Sequence, residues 1–137
     1  MPIETERLER LIESGECPSK SSEVYAKELK ALGDQLDKEI PEKLLQLFTA
    51  LSDSKRLKII KLLLNRKLCV CEFTEVLDVT QSTVSHHLSL LENAGLIRGF
   101  KKGKWTFYEV EKPDHVAKFF KFAEELVNSK VSVLSAI

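Results

Sequence analysis

Cys69-Val70-Cys71 is the stretch with the clearest chemistry. Two thiols separated by one residue can serve one soft ion as thiolates, or be oxidised together. A lone cysteine is most often a small buried hydrophobe. A pair at this spacing asks for more. On a regular helix, positions i and i+2 point about 200° apart, given ~100° per residue. Both sulfurs reach one ion only where the backbone is not yet helical, or where the first turn distorts on binding. The pair follows Asn65-Arg66-Lys67, where a helix is expected to begin. Ligand capture at that point would disturb the helix and whatever it positions next.

What comes next is Thr80-Gln81-Ser82-Thr83-Val84-Ser85-His86-His87-Leu88-Ser89-Leu90-Leu91. Val84, Leu88 and Leu91 recur at the spacing of one buried helical stripe. Gln81, Ser82, Thr83, Ser85 and His86 cover the rest with short hydrogen-bonding groups. A solvated face is ordinarily rich in Lys and Glu. Small polar groups at a helix N-terminus suit base edges and phosphates, because the free N–H groups and the positive dipole end point the same way. Thr80 is placed to cap this helix, its hydroxyl toward the Thr83 N–H. The helix expected over Cys71–Val79 precedes it across a short link, so the two read as a helix-turn-helix. His86 and His87 diverge in direction, as sequence neighbours on a helix do, and read as DNA-facing or packing residues.

Beyond this helix Asn93-Ala94-Gly95 is a stop, with Gly95 suited to the left-handed cap. Leu96–Phe100 and Trp105–Val110 are β-rich and flank Lys101-Lys102-Gly103-Lys104, which makes a β-hairpin with a cationic tip. The expected fold is mainly α with a β-hairpin wing: a winged helix-turn-helix with a helical dimer interface. Lys101, Lys102 and Lys104 are candidates for backbone phosphates while the helix enters the major groove.

The run from about Lys43 to Val110 resembles the arsenic-repressor/zinc-repressor (ArsR/SmtB) family of metal-responsive transcription factors. Leu47 to Ile60, Leu68-Cys69-Val70-Cys71-Glu72, Gln81 to Leu88, Glu92 to Ile97 and the lysine wing carry the likeness, in the family's order. The resemblance implies a repressor that binds operator DNA as a homodimer and is released by a soft ion on thiolates: arsenite (As(III)), antimonite, cadmium or lead. The arsenic repressor takes a third thiolate three residues after the second cysteine, where this chain has Thr74. Cadmium- and lead-type members recruit cysteines from an N-terminal extension, which makes Cys17 the candidate third ligand with Cys69 and Cys71. Its alternative is an unrelated surface thiol. The family's other sensing site uses carboxylates and histidines of the last helix. Asp114, His115, Glu124 and Glu125 are what this chain offers there; the second histidine is absent, so no zinc or nickel site is expected.

The 137 residues, with equal numbers of acidic and basic side chains, suffice for one domain with a real core. Net neutrality is unusual for a DNA binder, but the charge is segregated. From Gln81 to Tyr108 the cations are Arg98, Lys101, Lys102 and Lys104 against Glu92 alone. The segment before Pro41 is acidic in balance. The expected organisation is an N-terminal arm over 1–40, a DNA-binding core over 41–112 and a dimerisation helix over 113–137. In the arm, a helix over Glu4–Glu13 is followed by a break at Ser14–Ser19 and a helix capped by Ser22 through Tyr25, Leu29, Leu32 and Leu36. In the last segment Val116, Phe119, Phe120, Leu126 and Val127 form an apolar stripe, and Phe119, Phe122 and Leu126 are assigned to the interface. No signal peptide or membrane span is read, so a cytoplasmic location is expected and the three cysteines are thiols or ligands before they are disulfides. Nor is an enzyme expected: there is no glycine-rich phosphate loop, nucleophile elbow or H-E-x-x-H motif. The alternatives kept open are a thiol redox-responsive regulator on the same fold and a DNA-binding regulator with no metal response.

Overall fold

The computed structural model describes residues 5–15 and 21–128. Cys17, Pro18 and the first four residues lie outside the described residues. The chain divides into two compact units between Glu42 and Lys43.

The first unit holds helices α1 (Thr5–Glu13) and α2 (Ser22–Glu39), which pack on one another. Leu8 of α1 is buried, while Leu11 is exposed. The cap of α2 falls one residue before the expected one. Ser21 is the N-cap residue and Ser22 is already helical, its hydroxyl donating to Glu9 Oε1 at 3.4 Å. No residue of α2 is buried; Val24, Leu32 and Leu36 stay exposed along it, as does Ile40 at its C-cap.

The second unit runs in the order α3 (Glu42–Leu51), α4 (Ser54–Asn65), β1 (Leu68–Cys69), α5 (Val70–Leu77), α6 (Gln81–Asn93), β2 (Ile97–Lys102), β3 (Trp105–Val110) and α7 (Pro113–Asn128). It is mostly helical with a small antiparallel sheet, the winged helix-turn-helix expected. Asp53 starts α4 by accepting from the Lys55 and Arg56 N–H groups at 2.8 and 3.1 Å. The Arg56 N–H bond is the main reason its carboxyl is held below the ordinary range. Asp78, at φ 52°, ends α5 in the left-handed region that Asp tolerates. Gly95, at φ 76°, ends α6 in a Schellman arrangement, with Leu96 N donating to Leu91 O and Gly95 N to Glu92 O.

The sheet has three strands in the order β1-β3-β2, one more than the expected hairpin. β1 pairs Leu68 with Tyr108 and Cys69 with Phe107. The hairpin register runs from Ile97–Val110 to Lys102–Trp105, which leaves Gly103-Lys104 as a two-residue turn. Gly103 at φ 66° opens it, the position where a type II′ turn needs glycine. Ile59, Ile60, Phe73, Val84, Leu88, Leu91 and Ile97 are fully buried and join α4, α5, α6 and the sheet in one core.

The apolar stripe of α7 is divided. Val116 and Phe120 enter this core, while Phe119, Phe122, Leu126 and Val127 are exposed. Among the described residues no helix is long and apolar enough to cross a membrane.

Candidate functional site

Helix α6 turns its apolar stripe inward and its short polar groups outward. Gln81, Ser82, Ser85 and His86 are exposed and Thr83 is half-buried. Thr80 caps the helix: its hydroxyl oxygen accepts from Thr83 N at 3.2 Å. That same oxygen lies 3.1 Å from the Ser82 hydroxyl and 2.9 Å from the Thr83 hydroxyl, so the three hydroxyls are gathered at the helix start. The two histidines separate. His86 is exposed, whereas His87 is buried and meets Arg56 of α4, Nη1 to Nδ1 at 3.1 Å. Arg56 also donates from Nε to the Ala50 carbonyl at 2.6 Å and from Nη2 to the Thr49 carbonyl at 3.3 Å. One guanidinium thereby brackets the end of α3 to α6. Burial is the main cause that lowers the His87 pKa, with Asp53 opposing and Arg56 reinforcing it. Since a guanidinium only donates, His87 Nδ1 is the acceptor and the ring is neutral.

The wing is fastened at its base and cationic at its tip. Glu109 takes Arg98 at 2.6 Å on one side and Lys67 at 3.2 Å on the other. The Arg98 hydrogen bond is the chief reason the Glu109 carboxyl titrates below its ordinary value. Glu92 Oε2 accepts from Gly99 N at 2.9 Å, which ties the end of α6 to β2. Of the wing cations, Arg98 and its neighbour Lys67 are thus neutralised locally. Lys101, Lys102 and Lys104 are exposed, and among the described residues none has a carboxylate within ion-pair reach.

The two cysteines meet. Cys69 is both the end of β1 and the N-cap residue of α5, with extended backbone at φ −99° and ψ 168°. Cys71 lies one residue inside the helix. The i and i+2 side chains therefore straddle a break in helical geometry, and the sulfurs stand 3.3 Å apart. Glu72 completes a capping box by accepting from Cys69 N at 3.0 Å, with Arg66 3.5 Å from its other oxygen. The bond from Cys69 N is what chiefly depresses the Glu72 carboxyl. Cys69 is buried and Cys71 exposed. Burial pushes the Cys69 thiol up, and the neighbouring Cys71 adds to it. Thr74, which stands in place of a third in-helix thiolate, donates its hydroxyl to the Cys71 carbonyl at 2.6 Å. Among the described residues no group of three His, Cys, Asp or Glu side chains is placed to hold a metal ion. Cys17, the candidate third ligand, lies outside the described residues.

A cleft of about 520 Å³ opens at the sulfur pair, and its walls belong to three elements: Cys69 and Cys71, Gln81 at the start of α6, and Lys104, Trp105 and Thr106 of the wing. Sequence reasoning missed Trp105 in this role and missed the Arg56–His87 bracket.

On α7, Asp114 lies in the first turn and Glu124 pairs with Lys61 of α4. The assigned interface residues Phe119, Phe122 and Leu126 are 38%, 70% and 73% exposed, and Phe119 packs its ring 6.3 Å from that of Phe48.

Residues 53–98 match the family profile described as bacterial regulatory protein, arsR family. The chain is 45% identical over 78 residues to the arsenical resistance operon repressor of Bacillus subtilis, spanning 56% of this chain and 74% of that one. It is 39% identical over 82 residues to a homolog of the cadmium resistance transcriptional regulatory protein CadC from Staphylococcus aureus, spanning 59% of this chain and 67% of that one. In fold it is similar to a winged helix-turn-helix DNA-binding domain from Mycobacterium bovis, at TM-score 0.61 and 21% identity, covering 69% of this chain and 87% of that one.

Proposed function

The chain belongs to the arsR family of bacterial regulatory proteins, and from that premise we propose that it is a homodimeric repressor released from operator DNA by a soft ion on cysteine thiolates. Membership makes it a DNA-binding transcriptional regulator and not an enzyme. The finer reading rests above all on the sulfur pair of Cys69 and Cys71, 3.3 Å apart at the start of the first helix of the helix-turn-helix. Relatives named for arsenical and cadmium resistance support As(III), Cd or Pb as the effector class. Cys17 is the proposed third ligand, from the arm.

In this reading Gln81, Ser82, Thr83, Ser85 and His86 face the groove, and Lys101, Lys102 and Lys104 take phosphate. Residues 1–40 are the arm, 41–112 the DNA-binding core and 113–137 the dimerisation segment, whose residues beyond Asn128 lie outside the described ones. The exposed Phe119, Phe122 and Leu126 bury against a second copy, while Val116 and Phe120 hold α7 to its own core. The protein works in the cytoplasm, where thiols stay reduced.

Ligation has a physical route to the DNA surface. An ion bridging both sulfurs replaces their proton-sharing contact and reshapes the N-cap of α5, which leads through Asp78 into α6. A tenfold loss of DNA affinity needs only ~1.4 kcal/mol of coupling. The test is metal-to-protein stoichiometry and DNA release under reducing conditions. Cys69→Ser and Cys71→Ser each keep DNA binding and lose the response. If arsenite and cadmium affinity and the thiolate charge-transfer absorption are untouched in Cys17→Ser, the arm supplies no ligand. Release by metal in all three single variants overturns the sensing reading. The redox reading rests on the same pair, and release by oxidant without metal binding would put it ahead.

A further inference from the structure

The cleft beside the sulfurs holds groups from the surfaces that meet DNA. Gln81 is the first residue of α6 and one of the proposed base-facing groups. Lys104 sits in the wing turn and is one of the proposed phosphate-binding groups. Both line the same space as Cys69 and Cys71. Trp105, the chain's single tryptophan, lines it too, half-exposed, with the Lys104 ammonium 5.7 Å from its ring centroid. The backbone explains the juxtaposition. Cys69 pairs across the sheet with Phe107, and Trp105 lies two residues along the same strand, on the same face. β3 therefore carries the wing tip past the thiols.

We propose that the wing forms one wall of the effector site, so that an ion held by Cys69 and Cys71 lies against Trp105 and draws Gln81 and Lys104 away from DNA. This deepens the thiolate reading given above and rests on it.

The chemistry of the occupant fits the walls. Arsenite, As(OH)₃, condenses with two thiols by forming two As–S bonds and losing two As–O bonds. Each leaving hydroxide takes a thiol proton and departs as water, and no oxidant is needed. One hydroxyl remains on arsenic unless a third thiolate displaces it. In the cleft that polar group would share its space with Gln81 and Lys104, whose side chains can hydrogen-bond to it, and with Trp105 as an apolar wall. A cleft of about 520 Å³ leaves room for an ion that keeps part of its coordination shell. DNA and effector then compete for the same two side chains. That coupling adds to the distortion of α5 and does not require it.

The test uses the reduced full chain, sodium arsenite and then cadmium chloride, with two simultaneous readouts. Thiolate charge-transfer absorption reports binding at sulfur, and emission reports Trp105 without any substitution. The expected result is an emission change that saturates with the absorption and vanishes in the Cys69→Ser/Cys71→Ser double variant. Absorption that saturates while emission stays constant overturns the wing wall and leaves thiolate sensing intact. No absorption with either ion overturns both. A second arm uses Trp105→Leu, which keeps an apolar residue on an exposed strand position. Compared at ion concentrations that saturate the thiolate absorption of each protein, ion-driven release of a duplex selected by the wild-type protein should fall from about tenfold to under about threefold. Full release by Trp105→Leu counts against the wing's part.

Discussion

Replacing Arg56 by methionine removes three hydrogen bonds while keeping an unbranched apolar stem in place. The bonds removed run to the Ala50 carbonyl at 2.6 Å, the Thr49 carbonyl at 3.3 Å and His87 Nδ1 at 3.1 Å. A bond from a charged donor ordinarily contributes more than a neutral one, but this guanidinium is only part-buried. At about 1 kcal/mol each the loss is ~3 kcal/mol. For a unit of this size that lowers Tm by ~12 °C, at roughly 4 °C per kcal/mol. It moves a urea midpoint down by about 1.5 M at an m-value of about 2 kcal/mol/M. Trp105 emission follows the unfolding of the DNA-binding unit, at fixed protein concentration so that association contributes equally in both proteins. His87 adds a pH signature. Burial holds its native pKa below the ordinary 6.5, so in the window beneath 6.5 the unfolded chain binds a proton that the native chain does not. Stability therefore falls as pH drops from about 6.5 toward the native value, and levels off below it. Arg56 is one of the groups disfavouring the imidazolium, so Arg56→Met narrows that window and makes the acid-side loss smaller. A destabilisation under about 1 kcal/mol, or an acid-side loss larger in Arg56→Met than in wild type, refutes the bracket.

The wing lysines are tested by the Lys101/Lys102/Lys104→Ala triple variant, which should weaken binding to all sequences alike and flatten the salt dependence by about one unit for each phosphate no longer neutralised. Equal affinity across a salt titration contradicts the assignment. Phe119→Asp should cost several kcal/mol of dimer stability, the usual penalty for an unpaired buried charge, and sedimentation showing an unchanged dimer rules out that interface. Thr80→Ala removes the cap acceptor for Thr83 N and should cost about 1 kcal/mol in chemical denaturation. An unchanged midpoint means that the first turn of α6 is held by its packing alone.

What could be read from the sequence was what is local. Val84, Leu88 and Leu91 show their helix by period, Thr80 and Gly95 mark its ends by side-chain chemistry, and Lys101 to Lys104 interrupt two β-rich runs. The structure places the helix and its ends as expected, but the tip is shorter than the lysine run: Lys101 and Lys102 pair within β2, and Gly103-Lys104 alone make the turn. The N-cap of α2 was displaced by one residue because Ser21 and Ser22 are chemically alike. The α7 stripe was legible as apolar, but periodicity does not say what an apolar face meets. Val116 and Phe120 turned to their own core, and their neighbours Phe119 and Phe122 did not. Contacts between distant residues left no local trace. Arg56 and His87 are 31 residues apart, and each looks ordinary in its own segment. β1 is two residues long and exists because β3 pairs with it, so no alternation pattern could announce it. That strand matters most for the site. The spacing of Cys69 and Cys71 said that the sulfurs converge only off a regular helix. Cys69 is extended because it is at once the last residue of β1, paired with Phe107, and the N-cap of α5, and that backbone lets the sulfurs meet. The strand of Phe107 leads on to Trp105. One two-residue pairing thus bears both on the geometry of the thiols and on where the wing strand passes them.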